Sequence, residues 1–251
     1  MRAVKTSLSG KVNGERRLKG VLFDKDGTLI DLQLTWGPAI HAAIHALAEG
    51  DDVKLRAQAE ILHFDIDARR FRPTSPVVSG ATAQYGAAWA AALGRTDFPI
   101  LRHEIDEICA LECLRSLTAI GDPVAVVDAL RGLGLKVGLA TNDAERSARR
   151  HLDQLGLGDR MDFVCGYDTG HGAKPGPGMV EAFARAIGVS PTDVALVGDS
   201  RHDLDSARSA GAIAVAVLTG VATRGDLEPH ADYVLADVGE LPAWAQEFTS
   251  Q

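Results

Sequence analysis

Two aspartates close an apolar run in the stretch VLFDKDGTLID, residues 21–31. Asp24 and Asp26 follow Val21, Leu22 and Phe23, a segment that suits a buried strand running into a turn. Carboxylates beside such a run are costly unless something pairs with them. Two of them this close cannot both stay charged cheaply without a cation. Hard oxygen ligands select a hard divalent ion, and Mg²⁺ is the natural candidate. Three later stretches carry matching chemistry. ATND, 140–143, offers the Thr141 hydroxyl, the Asn142 amide and backbone N–H groups at a helix start, which suit a phosphate oxygen. AKP, 173–175, places a lone Lys174 before a Pro-rich turn. GDSRHD, 198–203, adds the carboxylates Asp199 and Asp203. Carboxylates for a metal, with a Thr and a Lys for an anion, are what phosphoryl transfer needs.

The elements that must position these residues are legible as a repeating pattern. LKVGLAT (135–141), DFVCG (162–166), DVALVGD (193–199) and AIAVAVL (212–218) are predicted strands. Helices are predicted at about 143–155, 177–188 and 203–210, with Gly188 and Gly211 as stops. Continuous apolar runs fit strands covered on both faces. Strand–helix repetition predicts a parallel sheet with helices on both sides, and ligands of such sheets bind at the carboxyl ends of the strands. Residues 32–119 differ. Ile40, Ile44 and Leu47 form one helical stripe, and Leu101, Ile105, Ile108 and Leu111 another. The expectation is an α/β core from 1–31 and 120–251, with 1–17 a flexible tail, and an all-helical insert at 32–119. A terminal helix holding Trp244 and Phe248 is expected to pack on the core.

With DKDGT at 24–28, TN at 141–142, KP at 174–175 and GDSRHD at 198–203, in this order and at strand ends, the chain resembles haloacid-dehalogenase-superfamily phosphohydrolases. Its style is that of the phosphoglycolate-phosphatase and β-phosphoglucomutase branch, and the likeness spans nearly the whole core. The resemblance implies a Rossmann-like α/β fold with a small helical cap that closes over the site. It implies Mg²⁺, a small phosphorylated metabolite as substrate, and an aspartyl-phosphate intermediate. Asp24 is then the nucleophile and Asp26 the general acid and base. Thr141 holds a phosphoryl oxygen, helped by the Asn142 backbone, and Lys174 neutralises nucleophile and phosphate. Asp199 binds the metal with an Asp24 oxygen and the Asp26 carbonyl. Asp203 supports the metal, or else caps its helix. An acid at position 26 points to hydrolysis or mutase chemistry, since the related dehalogenases lack it and ion-pumping ATPases have Thr there. A phosphomutase is the enzymatic alternative, and a binding or regulatory protein on the same fold the non-enzymatic one. A phosphonatase would need a Schiff-base Lys in the insert, where Lys54 stands alone.

Other residues are read more plainly. Asp31 caps a turn or bonds the backbone, and Asp143 is the expected N-cap of its helix. His41 and His45 lie i, i+4 without the Glu of a zinc-protease motif and are expected to be a half-exposed pair. Trp36 and Trp89 are expected in packing. FRPTSPVVSG (71–80), with Arg72, Ser75 and Ser79, is either a recognition loop or a helix connection. The formal charge of −8 argues against a general nucleic-acid binder. Residues 1–20 nevertheless carry six Lys or Arg against one Glu. No run reaches membrane-spanning length. Three cysteines suggest a reducing compartment, so the cytoplasm is expected. Cys109 and Cys113 are read as buried thiols.

Overall fold

Val21, Leu22 and Phe23 are each buried to 0% exposure, which at about 1.5–3 kcal/mol per side chain makes this strand a strong anchor for the loop at its carboxyl end. The computed structural model describes residues 4–5, 17–72, 74–79 and 85–249. The chain divides into one compact unit from 1–31 and 119–251 and a second from 32–118.

The first unit holds a seven-stranded sheet. Its strands are β1 (Val4–Lys5) and β2 (Gly20–Phe23), then β5 (Lys136–Ala140), β6 (Phe163–Cys165), β7 (Val194–Gly198), β8 (Ile213–Val217) and β9 (Tyr233–Leu235). The second unit supplies β3 (Phe64–Asp65) and β4 (Arg70–Phe71). The sheet order is β1-β9-β8-β7-β2-β5-β6, parallel throughout except for β1, which runs antiparallel to β9. Strand side chains alternate between two cores. Val21, Phe23, Val137, Leu139 and Val197 point to one side, against Val127 and Leu130 of α6 (Pro123–Gly132), Leu152 of α7 (Glu145–Gln154) and Trp244 of α11 (Leu241–Thr249). Leu22, Ala140, Leu196 and Ala214 point to the other, against Phe183 of α8 (Gly178–Ala186), Leu204 of α9 (Arg201–Ala210) and Leu227 of α10 (Arg224–Leu227). Burial on both faces explains why these strands read as unbroken apolar runs.

The tail expectation needs amendment at one point, because Val4–Lys5 forms an edge strand paired with Tyr233 and Val234. The remainder of 1–16 lies outside the described residues.

The second unit contains α1 (Leu32–Ala48), α2 (Asp52–Ile61), α3 (Pro76–Ser79), α4 (Gly86–Ala92) and α5 (Phe98–Ser116) around its own core, which includes Ile40, Ile44, Leu101, Ile105, Cys109 and Cys113. It is not helical throughout. Strands β3 and β4 form a two-residue antiparallel ribbon that brings the Phe64 and Phe71 rings together edge-on at 5.3 Å. Trp89 is buried and donates to Gln58 Oε1 at 2.8 Å, while Trp36 packs against the same core half-buried. The His41 and His45 ring centroids lie 4.3 Å apart with the planes tilted by 44°, and neither belongs to a metal-capable cluster among the described residues. Ser75 is buried and donates to the Leu62 carbonyl at 2.6 Å, so its hydroxyl ties the fold together. Arg72 is exposed. The Ser79 side chain lies outside the described residues. No helix among the described residues is long and apolar enough to cross a membrane.

Candidate active site

The strand register brings the motifs level. Phe23 pairs with Leu139 on one side and Val197 on the other, and Asp24 N–H donates to the Val197 carbonyl at 2.8 Å. Asp24, Thr141 and Asp199 therefore leave the ends of neighbouring strands β2, β5 and β7 together. From β2 the chain goes on to β5 on one side, and from β7 to β8 on the other, so the strand order reverses between β2 and β7, the kind of point at which α/β sheets bind ligands. The acids sit past the strands rather than inside them, where an unpaired charge would cost several kcal/mol.

Asp24, Asp199 and Asp203 are all buried, and each places a carboxylate oxygen within 4.8 Å of the others. Lys174, also buried, donates from Nζ to Asp24 Oδ1, to Asp203 Oδ1 at 2.6 Å and to the Ala140 carbonyl at 2.9 Å. Asp203 Oδ2 accepts from the Ser200 hydroxyl at 2.6 Å and from its N–H at 3.1 Å, closing the capping box of α9. Asp203 thus caps its helix and holds the lysine at once. The backbone crowds this cluster. A Cβ on Gly27 or Gly220 would stand 2.3 Å or 1.7 Å from Asp199 Oδ2, and Gly27 has φ +83° in addition.

One ammonium faces three carboxylates, and the electrostatics reflect the mismatch. Burial raises the Asp24 carboxyl to about 7; Lys174 opposes the rise, and Asp203 and Asp26 add to it. Burial, then Asp24 and Asp203, drives Asp199 well above the ordinary carboxylate range. Burial works against the Lys174 charge, but Asp203 and Asp24 outweigh it and keep the ammonium protonated. No cationic side chain bonds Asp199 among the described residues. A buried, oxygen-only cluster with surplus negative charge fits a hard divalent cation.

Thr141 is buried, and its Oγ1 accepts from Asp143 N–H at 3.1 Å. Asn142 follows in the same loop. Its side chain clamps the Lys174 backbone, accepting from N–H at 2.9 Å and donating to the carbonyl at 3.0 Å. It fixes the lysine and leaves only its own backbone for a ligand. Asp143 is not the N-cap of α7, a position taken by Ala144. It pairs instead with Lys25, whose Nζ lies 2.9 Å from Asp143 Oδ2, 3.0 Å from Asp26 Oδ2 and 3.1 Å from His151 Nδ1. Lys25 is buried to 1% exposure, yet Asp143 and Asp26 overcome that burial and hold it charged. Asp26 is half-buried. Asp31 directly precedes α1 and stands apart from the three-acid cluster.

The haloacid dehalogenase-like hydrolase family model matches residues 18–211. The chain belongs to this family. Within the haloacid dehalogenase-like hydrolases it is 28% identical to a phosphoglycolate phosphatase of Rhodospirillum rubrum over 238 residues, covering 90% of each chain. It is 29% identical to an N-acetylmuramic acid 6-phosphate phosphatase of Pseudomonas aeruginosa, covering 90% of this chain and 93% of that one. The fold of a β-phosphoglucomutase from Clostridium difficile superposes with a TM-score of 0.66 at 18% identity, covering 93% of this chain and 97% of that one.

Proposed function

We propose that this hydrolase is a Mg²⁺-dependent phosphatase that cleaves a small phosphomonoester through an aspartyl-phosphate on Asp24. The observation that carries the reading is Asp24 itself: a buried carboxylate at a strand end, bonded to Lys174 and grouped with Asp199 and Asp203. Asp24 attacks phosphorus with one carboxylate oxygen, and the ester oxygen departs with a proton from Asp26. Water then attacks the acyl phosphate, giving its proton to Asp26, and inorganic phosphate and free Asp24 result. Splitting one hard displacement into two easier steps is the benefit of the covalent route. The Thr141 hydroxyl and the Asn142 N–H hold phosphoryl oxygens, and Lys174 stabilises the charge that gathers there. Asp24, Asp199 and the Asp26 carbonyl, supported by Asp203, would hold Mg²⁺, which supplies positive charge against the repulsion between a phosphate dianion and a carboxylate.

The two named relatives act on phosphomonoesters of small metabolites, which supports that substrate class for this chain. A panel including 2-phosphoglycolate, sugar 6-phosphates and p-nitrophenyl phosphate, assayed for inorganic phosphate with and without Mg²⁺, tests the reading. Release that requires Mg²⁺ and disappears in Asp24→Asn is expected. An isomerised sugar phosphate without inorganic phosphate would make the protein a mutase. No turnover above Asp24→Asn on any member would point to a binding role.

A further inference from the structure

The Lys25 ammonium, which the proposed chemistry leaves without a task, lies at the meeting point of three elements. It sits in the loop after β2, between the proposed nucleophile and the proposed acid. Its Nζ approaches both oxygens of Asp26, at 3.3 Å and 3.0 Å. From the loop after β5, Asp143 accepts from it at 2.9 Å. From α7, His151 presents Nδ1 at 3.1 Å. An ammonium has donors only, so His151 must accept at Nδ1 and carry its proton on Nε2. The position of Nζ is therefore set by a carboxylate on one element and an imidazole on another. Straddling both oxygens of Asp26 from that fixed point limits rotation of its carboxylate. Lys25 itself is at 1% exposure, so the ammonium depends on these side chains rather than on bulk water for its partners.

We infer that Lys25 is a positioning residue for Asp26, held in place by Asp143 and His151 so that the acid points at the leaving-group oxygen. This rests on the phosphatase reading and on Asp26 as its acid. Charge balance alone does not explain the arrangement, because Asp143 by itself would compensate a buried lysine. The third contact, to the one half-exposed acid of the motif, is the one with a consequence for catalysis. A general acid contributes about 10²–10⁴-fold only where its proton is delivered in line. A misplaced carboxylate therefore hurts poor leaving groups most.

The test compares kcat/KM for phenyl phosphate, a poor leaving group, and p-nitrophenyl phosphate, a good one, in wild type, Lys25→Met and Asp26→Asn with Mg²⁺ present. Expected is a loss in Lys25→Met at least about tenfold greater for phenyl phosphate than for p-nitrophenyl phosphate, in the same sense as Asp26→Asn. Circular dichroism and thermal melting confirm folding. If Lys25→Met does not fold, Lys25→Met/Asp143→Asn, which removes the stranded carboxylate, gives the same comparison; if that also fails to fold, Lys25 serves stability and the inference is overturned. Equal losses on both substrates, or none, overturn it as well. If wild type hydrolyses both substrates and Asp26→Asn is leaving-group-selective while Lys25→Met is not, the inference alone fails. A wild type inactive on both and on every other member of the panel removes the phosphatase reading beneath it.

Discussion

Asp203 accepts from Lys174 Nζ at 2.6 Å through one carboxylate oxygen while the other oxygen completes the N-terminal cap of α9. The lysine is thereby fastened to a helix end, and its remaining reach is directed at Asp24. Lys174→Met strands Asp203 and Asp24 without their ammonium. Breaking a buried pair from one side costs about 3–5 kcal/mol, so chemical denaturation should show a loss of that order together with loss of phosphatase turnover.

A cation that binds only the folded chain stabilises it by mass action, about 2.7 kcal/mol at a hundredfold excess over Kd. Added Mg²⁺ should therefore raise the melting temperature of wild type. In Asp199→Asn that rise should disappear, and this is readable without any substrate.

Gly220 tests the crowding around Asp199 without a backbone complication, since its φ is not in the left-handed region. Gly220→Ala puts a Cβ against Asp199 Oδ2 and must displace the carboxylate. The expected outcome is an apparent Mg²⁺ affinity at least about tenfold weaker, equivalent to 1.4 kcal/mol, with the far-ultraviolet spectrum unchanged.

His151 gives a pH dependence of stability. Burial, reinforced by Lys25, lowers it to about 4 from an ordinary 6.5. Below pH 6.5 the unfolded chain takes up a proton that the folded chain refuses until about pH 4, so stability falls through this window and is fully present above it. The shift corresponds to roughly 3 kcal/mol at most. In His151→Gln, whose amide oxygen can still accept from Lys25, the fall across this window should flatten. Denaturant midpoints at pH 7 and pH 4.5 provide the measurement.

The strand ends carrying Asp24, Thr141 and Asp199 were legible because doubly covered strands leave continuous apolar runs and the acids interrupt them abruptly. The ribbon of β3 and β4 was not, since two residues per strand are too few to show a period. β9 is three residues long and likewise leaves little trace. Lys25 is not legible for a different reason: a lysine between two aspartates reads as a solvated spacer, and only the fold brings Asp143 and His151 to it. The Asn142 side chain was similarly ambiguous, because its partner is the backbone of a residue 32 positions away.

The central claim is that phosphate passes through Asp24. Asp26→Asn, which lacks the base for the second step, should accumulate the intermediate when mixed with p-nitrophenyl phosphate and Mg²⁺ and quenched in acid. Mass spectrometry of the digested protein reads it directly. The account predicts one added phosphoryl group on the peptide containing Asp24, removed by hydroxylamine and absent when Asp24 is also replaced by Asn. A phosphoryl group on any other residue, or one that persists in the double variant, would contradict it.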